Sequence, residues 1–204
     1  MVKVCRSVVA VVAAGMMSVA VQAAELNWQL AKDEQGVKVY LAKVEGSKYK
    51  AYKGVAVMNT TLARLVALQE DVSGSCKWMY ECREQKRVAQ EGEAGVVYSR
   101  INTPWPVTPR DTFTEVVTEK AADGSITRRL TGKPDYQPEE SGFVRVSKLE
   151  GFWQFVPKGN GQVEVIYQVH TEPGGSVPSW LANSFVVDAP FTTLVELKKL
   201  AEQK

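Results

Sequence analysis

The last segment constrains the fold most: residues 179–202 set Leu181, Phe185, Phe191, Leu194, Val195, Leu197 and Leu200 on a helical repeat. Ser176 or Ser179 can cap this long helix, and Pro178 sits where a first-turn proline is tolerated. Pro190 lies inside it, where a proline removes one backbone hydrogen bond and crowds the preceding turn, so a kink is expected over residues 186–190. A helix this apolar needs a cover, and the chain before it supplies strands.

Leu26, Trp28 and Leu30 read as a short amphipathic opening element stopped by the turn at Asp33-Glu34-Gln35-Gly36, after which strands begin. Val37, Val39 and Leu41 alternate with Lys38 and Tyr40, and with residues 49–58 they form a hairpin. Asn59 or Thr60 can cap a helix carrying Leu62, Leu65, Val66 and Leu68. Strand-like runs follow at 78–89, 96–103, 110–120, 125–132, 143–156 and 162–171, separated by turns such as Ala122-Asp123-Gly124 and Lys158-Gly159-Asn160-Gly161. There is no strand–helix alternation and no internal repeat, so the class is α+β. A curved antiparallel sheet facing one helix can leave a cavity between the two.

The first two dozen residues stand apart. Lys3 and Arg6 precede an uncharged run over 7–21 that ends at Val21-Gln22-Ala23, the pattern of a secretory signal peptide cleaved after Ala23. The run is shorter than the roughly 20 residues that span a bilayer, and Cys5 precedes it, out of place for lipidation. Residues 1–23 are therefore expected to be a leader. Residues 24–204, about 180 in number, form one domain able to bury a substantial core. With 25 basic against 23 acidic side chains and no block of like charge, nucleic acid is not an expected partner.

An exported chain can form disulfides, and the mature one keeps Cys76 and Cys82. Six residues apart, they would lie about 20 Å apart in a strand and about 9 Å in a helix, beyond the roughly 7 Å that a bridge spans. Either the segment bends and they pair, or they remain two half-buried thiols. With one histidine, His170, far off in the chain, the set does not supply the about four ligands of a zinc site, and no cofactor is expected.

Four stretches carry a family resemblance: Trp28 with Asp33 and Gly36-Val37-Lys38-Val39-Tyr40; Tyr49-Lys50-Ala51-Tyr52-Lys53; Pro104-Trp105-Pro106-Val107-Thr108-Pro109-Arg110-Asp111; and Glu172-Pro173-Gly174-Gly175-Ser176-Val177-Pro178-Ser179-Trp180-Leu181. Together they resemble the START (steroidogenic acute regulatory protein-related lipid transfer) family, as a bacterial exported member. The resemblance implies a helix-grip fold, in which the curved sheet wraps the C-terminal helix and encloses an apolar tunnel for one lipid. It also implies a non-catalytic carrier of phospholipid, fatty acid or a sterol-like compound, with transient membrane contact in the periplasm. Residues 133–145, with Pro138, Gly142 and Arg145, correspond in it to a loop that closes the tunnel mouth against the last helix. Some sterol-carrying relatives place an arginine where this chain has Val116, a departure that argues against cholesterol.

The ligand-contact candidates are Trp105, Arg110, Thr112, Thr114, Arg145, Trp153, Trp180 and Phe185. By strand alternation Thr112, Thr114 and Val116 share the face of Arg110, while Asp111, Phe113 and Glu115 share the other. Arg110 is either a ligand-facing cation or part of a structural ion pair at the turn, and the tryptophans, with Phe152, are either contacts or core. Two other classes stand beside the carrier: a polyketide-cyclase-type enzyme of the same fold, and a ligand-sensing interaction module. The enzyme needs converging acid–base groups, whereas His170 stands alone and no Gly-x-Ser-x-Gly motif is present.

Overall fold

A computed structural model describes residues 26–203, so the expected leader lies outside the described residues. Ten strands and two α-helices follow in chain order. They are β1 (Gln29–Glu34), β2 (Val37–Ala42), β3 (Ala51–Asn59), α1 (Leu62–Glu70), β4 (Cys82–Glu91), β5 (Ala94–Ile101), β6 (Arg110–Lys120), β7 (Ile126–Gly132), β8 (Val144–Arg145), β9 (Lys148–Gly159), β10 (Gln162–Glu172) and α2 (Ser179–Glu202). The sheet runs β1-β2-β3-β10-β9-β7-β6-β5-β4, with β8 pairing in parallel to β6 and every other pair antiparallel.

Hairpin chemistry fixes the register. Asn160 and Gly161 join β9 to β10 with φ of 51° and 71°, the pair of positive angles that a two-residue turn of this twist demands and that Asn-Gly meets at low cost. On the concave face, Val37, Val39, Ala56, Met58, Phe155 and Val165 meet Leu194 and Leu197 of α2 and Leu65 of α1 in one core. Fully burying a residue such as Leu194 contributes about 1.5–3 kcal/mol. Gly54 lets the helix come close: a Cβ there would lie 2.5 Å from Leu194 Cδ1 and 3.3 Å from the Pro190 ring.

The two halves of α2 differ. Pro190, Phe191, Leu194, Val195, Leu197 and Ala201 are buried, whereas none of the described side chains over 179–189 is. The helix continues through Pro190, which leaves the Val186 carbonyl without its usual i+4 donor.

Three expectations change. The opening element is a strand, β1, that begins before Gly36. The run over 78–89 is no single strand: a 3-10 turn at Ser75–Lys77 leads into a disulfide between Cys76 and Cys82, their Cα atoms 4.9 Å apart, and β4 starts at Cys82. The run over 143–156 divides into β8 and β9.

Candidate functional site

Beneath the first half of α2 lies a cavity of about 250 Å³. One wall is the concave face at Tyr52, Ile101 and Tyr167; another is α2 at Ala182, Phe185, Val186 and Ala189; and the β5–β6 connection adds Pro104 and Val107. Met79, from the disulfide-closed loop, lines it too. Gln85 donates to Ser99 Oγ (3.0 Å) and approaches Met79 Sδ at 3.1 Å.

Tyr52 and Tyr167 stand side by side because β3 pairs with β10. The Tyr52 hydroxyl donates to Tyr167 Oη at 2.9 Å, and Trp153 stacks on the Tyr167 ring with centroids 3.8 Å apart. Burial, then the neighbouring phenol, hold Tyr52 well above the ordinary tyrosine pKa, and burial raises Tyr167 as well. Both stay neutral, so the pair offers hydrogen bonds and no charge.

Arg110 lines the cavity and forms no ion pair among the described residues. Its Nε donates to the Pro173 carbonyl and Nη2 to that of Gly174, both at 3.2 Å, and Nη1 donates to Thr108 O. This buried guanidinium therefore clasps the lead-in of α2 to the start of β6. Phe185 lines the cavity as well.

The other candidates lie elsewhere. Thr112 and Thr114 share the Arg110 face but are buried further along β6, their Oγ1 atoms 3.4 Å apart, outside the cavity wall. Trp153 is 2% exposed and sits in the core among Trp78, Phe155 and Tyr167. Trp105 and Trp180 are 92% and 73% exposed, Trp105 following the wall residue Pro104 and Trp180 two residues before the wall residue Ala182. The cavity contacts Tyr52, Tyr167 and Met79 were missed. Alternation along one strand gives no signal for a pairing between residues 115 apart.

Arg145 needs a correction. It belongs to the convex face, where Asp111 draws it into a two-point ion pair, Nε to Oδ1 and Nη2 to Oδ2, both 2.9 Å. Its Nη1 also donates to the carbonyls of Pro134 (2.7 Å) and Gln137 (2.9 Å), so the loop over 133–143 is wound around the guanidinium. Tyr136 packs on Phe113, which shares that face. This loop lies against the back of the sheet and contributes no residue to the cavity wall. The Tyr98 hydroxyl stands 2.7 Å from Glu140 and 3.1 Å from Asp111; burial, then the Glu140 bond, push its pKa up to about 12.

At the far end of the concave face, Arg128 is 5% exposed, and its charge is met by Glu70 at 2.7 Å. Glu70 also pairs with Arg87 at 2.6 Å. Burial raises the pKa of Glu70, but the Arg87 hydrogen bond and the Arg128 charge outweigh it and hold the carboxyl below its ordinary value near 4.5. A carboxylate whose pKa is lower folded than unfolded stabilises above the unfolded value, and the gain disappears as pH falls through the folded one. Wild type should therefore melt above E70Q at pH 6, with the gap closing below pH 4.5 in a calorimetric series. A gap independent of pH would contradict this role.

The family described as START domain matches residues 13–199. A Xanthomonas axonopodis STAR-related lipid transfer protein of known structure is 38% identical, with a TM-score of 0.81 over 86% of this chain and 99% of that one. The Uncharacterized protein PA1579 of Pseudomonas aeruginosa is 57% identical over 95% of this chain and 96% of its own length. The bovine phosphatidylcholine transfer protein is 28% identical over 76% of this chain and 75% of its own.

Proposed function

The chain belongs to the START domain family, and on that premise we propose that it is an exported, non-catalytic carrier that holds one lipid under α2 and takes it through the aqueous periplasm. The observation that carries this reading is the mostly apolar cavity between the first half of α2 and the concave face. Moving an acyl chain from water into such a space gains about 0.8 kcal/mol per methylene. At about 250 Å³, the cavity falls just below the roughly 300–1,000 Å³ of ordinary ligand pockets. A phospholipid, fatty acid or sterol-like cargo therefore enters by lifting the unburied half of α2. His170, the one histidine, is held by Ser47 and Glu172 and is not among the wall residues, which favours carriage over acid–base chemistry.

The test is native mass spectrometry of protein purified from the periplasm, followed by solvent extraction. One lipid per chain on a protein that starts at Ala24 is expected. An empty protein that also refuses fluorescent lipids would overturn the reading.

Trp105 and Trp180 suit membrane contact, because exposed tryptophans settle at the bilayer–water interface and each lies within two residues of a cavity-wall residue in the chain. The W105A/W180A variant should lose roughly tenfold in vesicle-to-vesicle transfer rate, equal to about 1.4 kcal/mol of barrier, while keeping lipid affinity and melting temperature. Unchanged transfer would remove the tryptophans from membrane docking.

A further inference from the structure

Several polar side chains of the cavity wall are hydrogen-bonded to the protein's own backbone. Tyr49 Oη donates to Val177 O (3.1 Å) and Thr103 Oγ1 to Val107 O (2.7 Å). Thr193 Oγ1 accepts from Tyr80 N (3.0 Å), and the Asn183 amide bridges Lys50 N and Lys48 O (3.0 and 3.3 Å). Arg110 is held by three carbonyls. Lys50, Tyr80, Glu81, Asn102 and Thr171 complete the polar part of the wall.

Tyr52 and Tyr167 are instead hydrogen-bonded to each other, side chain to side chain. Two hydroxyls carry two hydrogens, and only one is used between them. Whichever ring donates, one hydrogen has no acceptor among the described residues and borders the cavity. A buried donor gains most from an acceptor on the molecule that fills the space. The pair cannot supply charge, because a phenol with an ordinary pKa near 10 is neutral at neutral pH and burial raises both further.

We propose that Tyr52 and Tyr167 read the cargo's polar group, donating one hydrogen bond to an uncharged oxygen, such as an ester or ketone carbonyl or a hydroxyl, on an otherwise apolar ligand. This rests on the carrier reading and names the chemistry that it selects. Trp153, stacked on Tyr167, supplies the optical signal.

The test titrates the mature protein with methyl laurate, tetradecane and dodecanol while following tryptophan emission. Either single variant, Y52F or Y167F, keeps one free hydroxyl hydrogen and should stay within threefold of wild type for the ester. The Y52F/Y167F double variant should lose about tenfold for the ester, about 1.4 kcal/mol, and stay within twofold for tetradecane, with an unchanged melting temperature. The dodecanol arm separates hydroxyl from carbonyl cargo by which of the two loses more. Equal losses for ester and hydrocarbon, or none for either, would overturn the reader while leaving the carrier intact. A wild type that binds none of the three overturns both.

Discussion

Replacing Asp111 by alanine is expected to cost about 3–5 kcal/mol, since removing one partner of a buried pair leaves the other charge without compensation. Both side chains are almost fully enclosed, Asp111 at 1% and Arg145 at 4% exposure, so water cannot replace the lost carboxylate. For a domain of this size the melting temperature should fall by roughly 10 °C. D111N, which keeps the shape and one acceptor, should lose less. A D111L/R145M double variant should recover much of the loss, because an apolar replacement leaves no buried charge behind. Lipid affinity should hold throughout, measured well below each variant's melting temperature. If D111A lost lipid binding and kept its stability, the 133–143 loop would belong to the ligand site.

The second large effect is the converse, loss of loading at constant stability. Ala189 faces the cavity from α2, one residue before Pro190. In A189W the indole would occupy most of the 250 Å³ and exclude the cargo's chain. Each displaced methylene forfeits about 0.8 kcal/mol, so five would cost about 4 kcal/mol, close to a thousandfold in affinity. The melting temperature should stay within a few degrees, because the first half of α2 contributes little to the core. A189W that still binds fluorescent lipid at wild-type strength would place the ligand elsewhere.

Much of this architecture is legible in the chain. β6 and α2 begin and end where alternation and helical repeat place them, because their patterns are long and bounded by proline, glycine or aspartate turns. The bend at 75–82 is not, since its cause is a covalent link between residues that themselves pattern like strand. Of the expected contacts, Phe185 and Arg110 line the cavity, although strand alternation leaves the face of Arg110 open. Alternation sorts side chains into two faces, and packing against α2 decides which is concave. Arg145 went to the wrong side for this reason: the resemblance located its loop along the chain, while Asp111, on the convex face, determines where the guanidinium goes. Tyr52 and Tyr167 emerge only once β10 is set beside β3.

Pro190, close against Gly54 and missing the amide that would tie it to Val186, separates α2 into a half set in the core and a half whose described side chains are not buried. Local opening of such a segment needs far less free energy than global unfolding, and amide exchange would resolve the two as distinct cooperative units. On the carrier reading, the fold's persistence resides in the residues after the proline and its traffic with membranes in those before it. Repeated rounds of filling and emptying then need never pass through the unfolded ensemble, where proteolysis and aggregation compete.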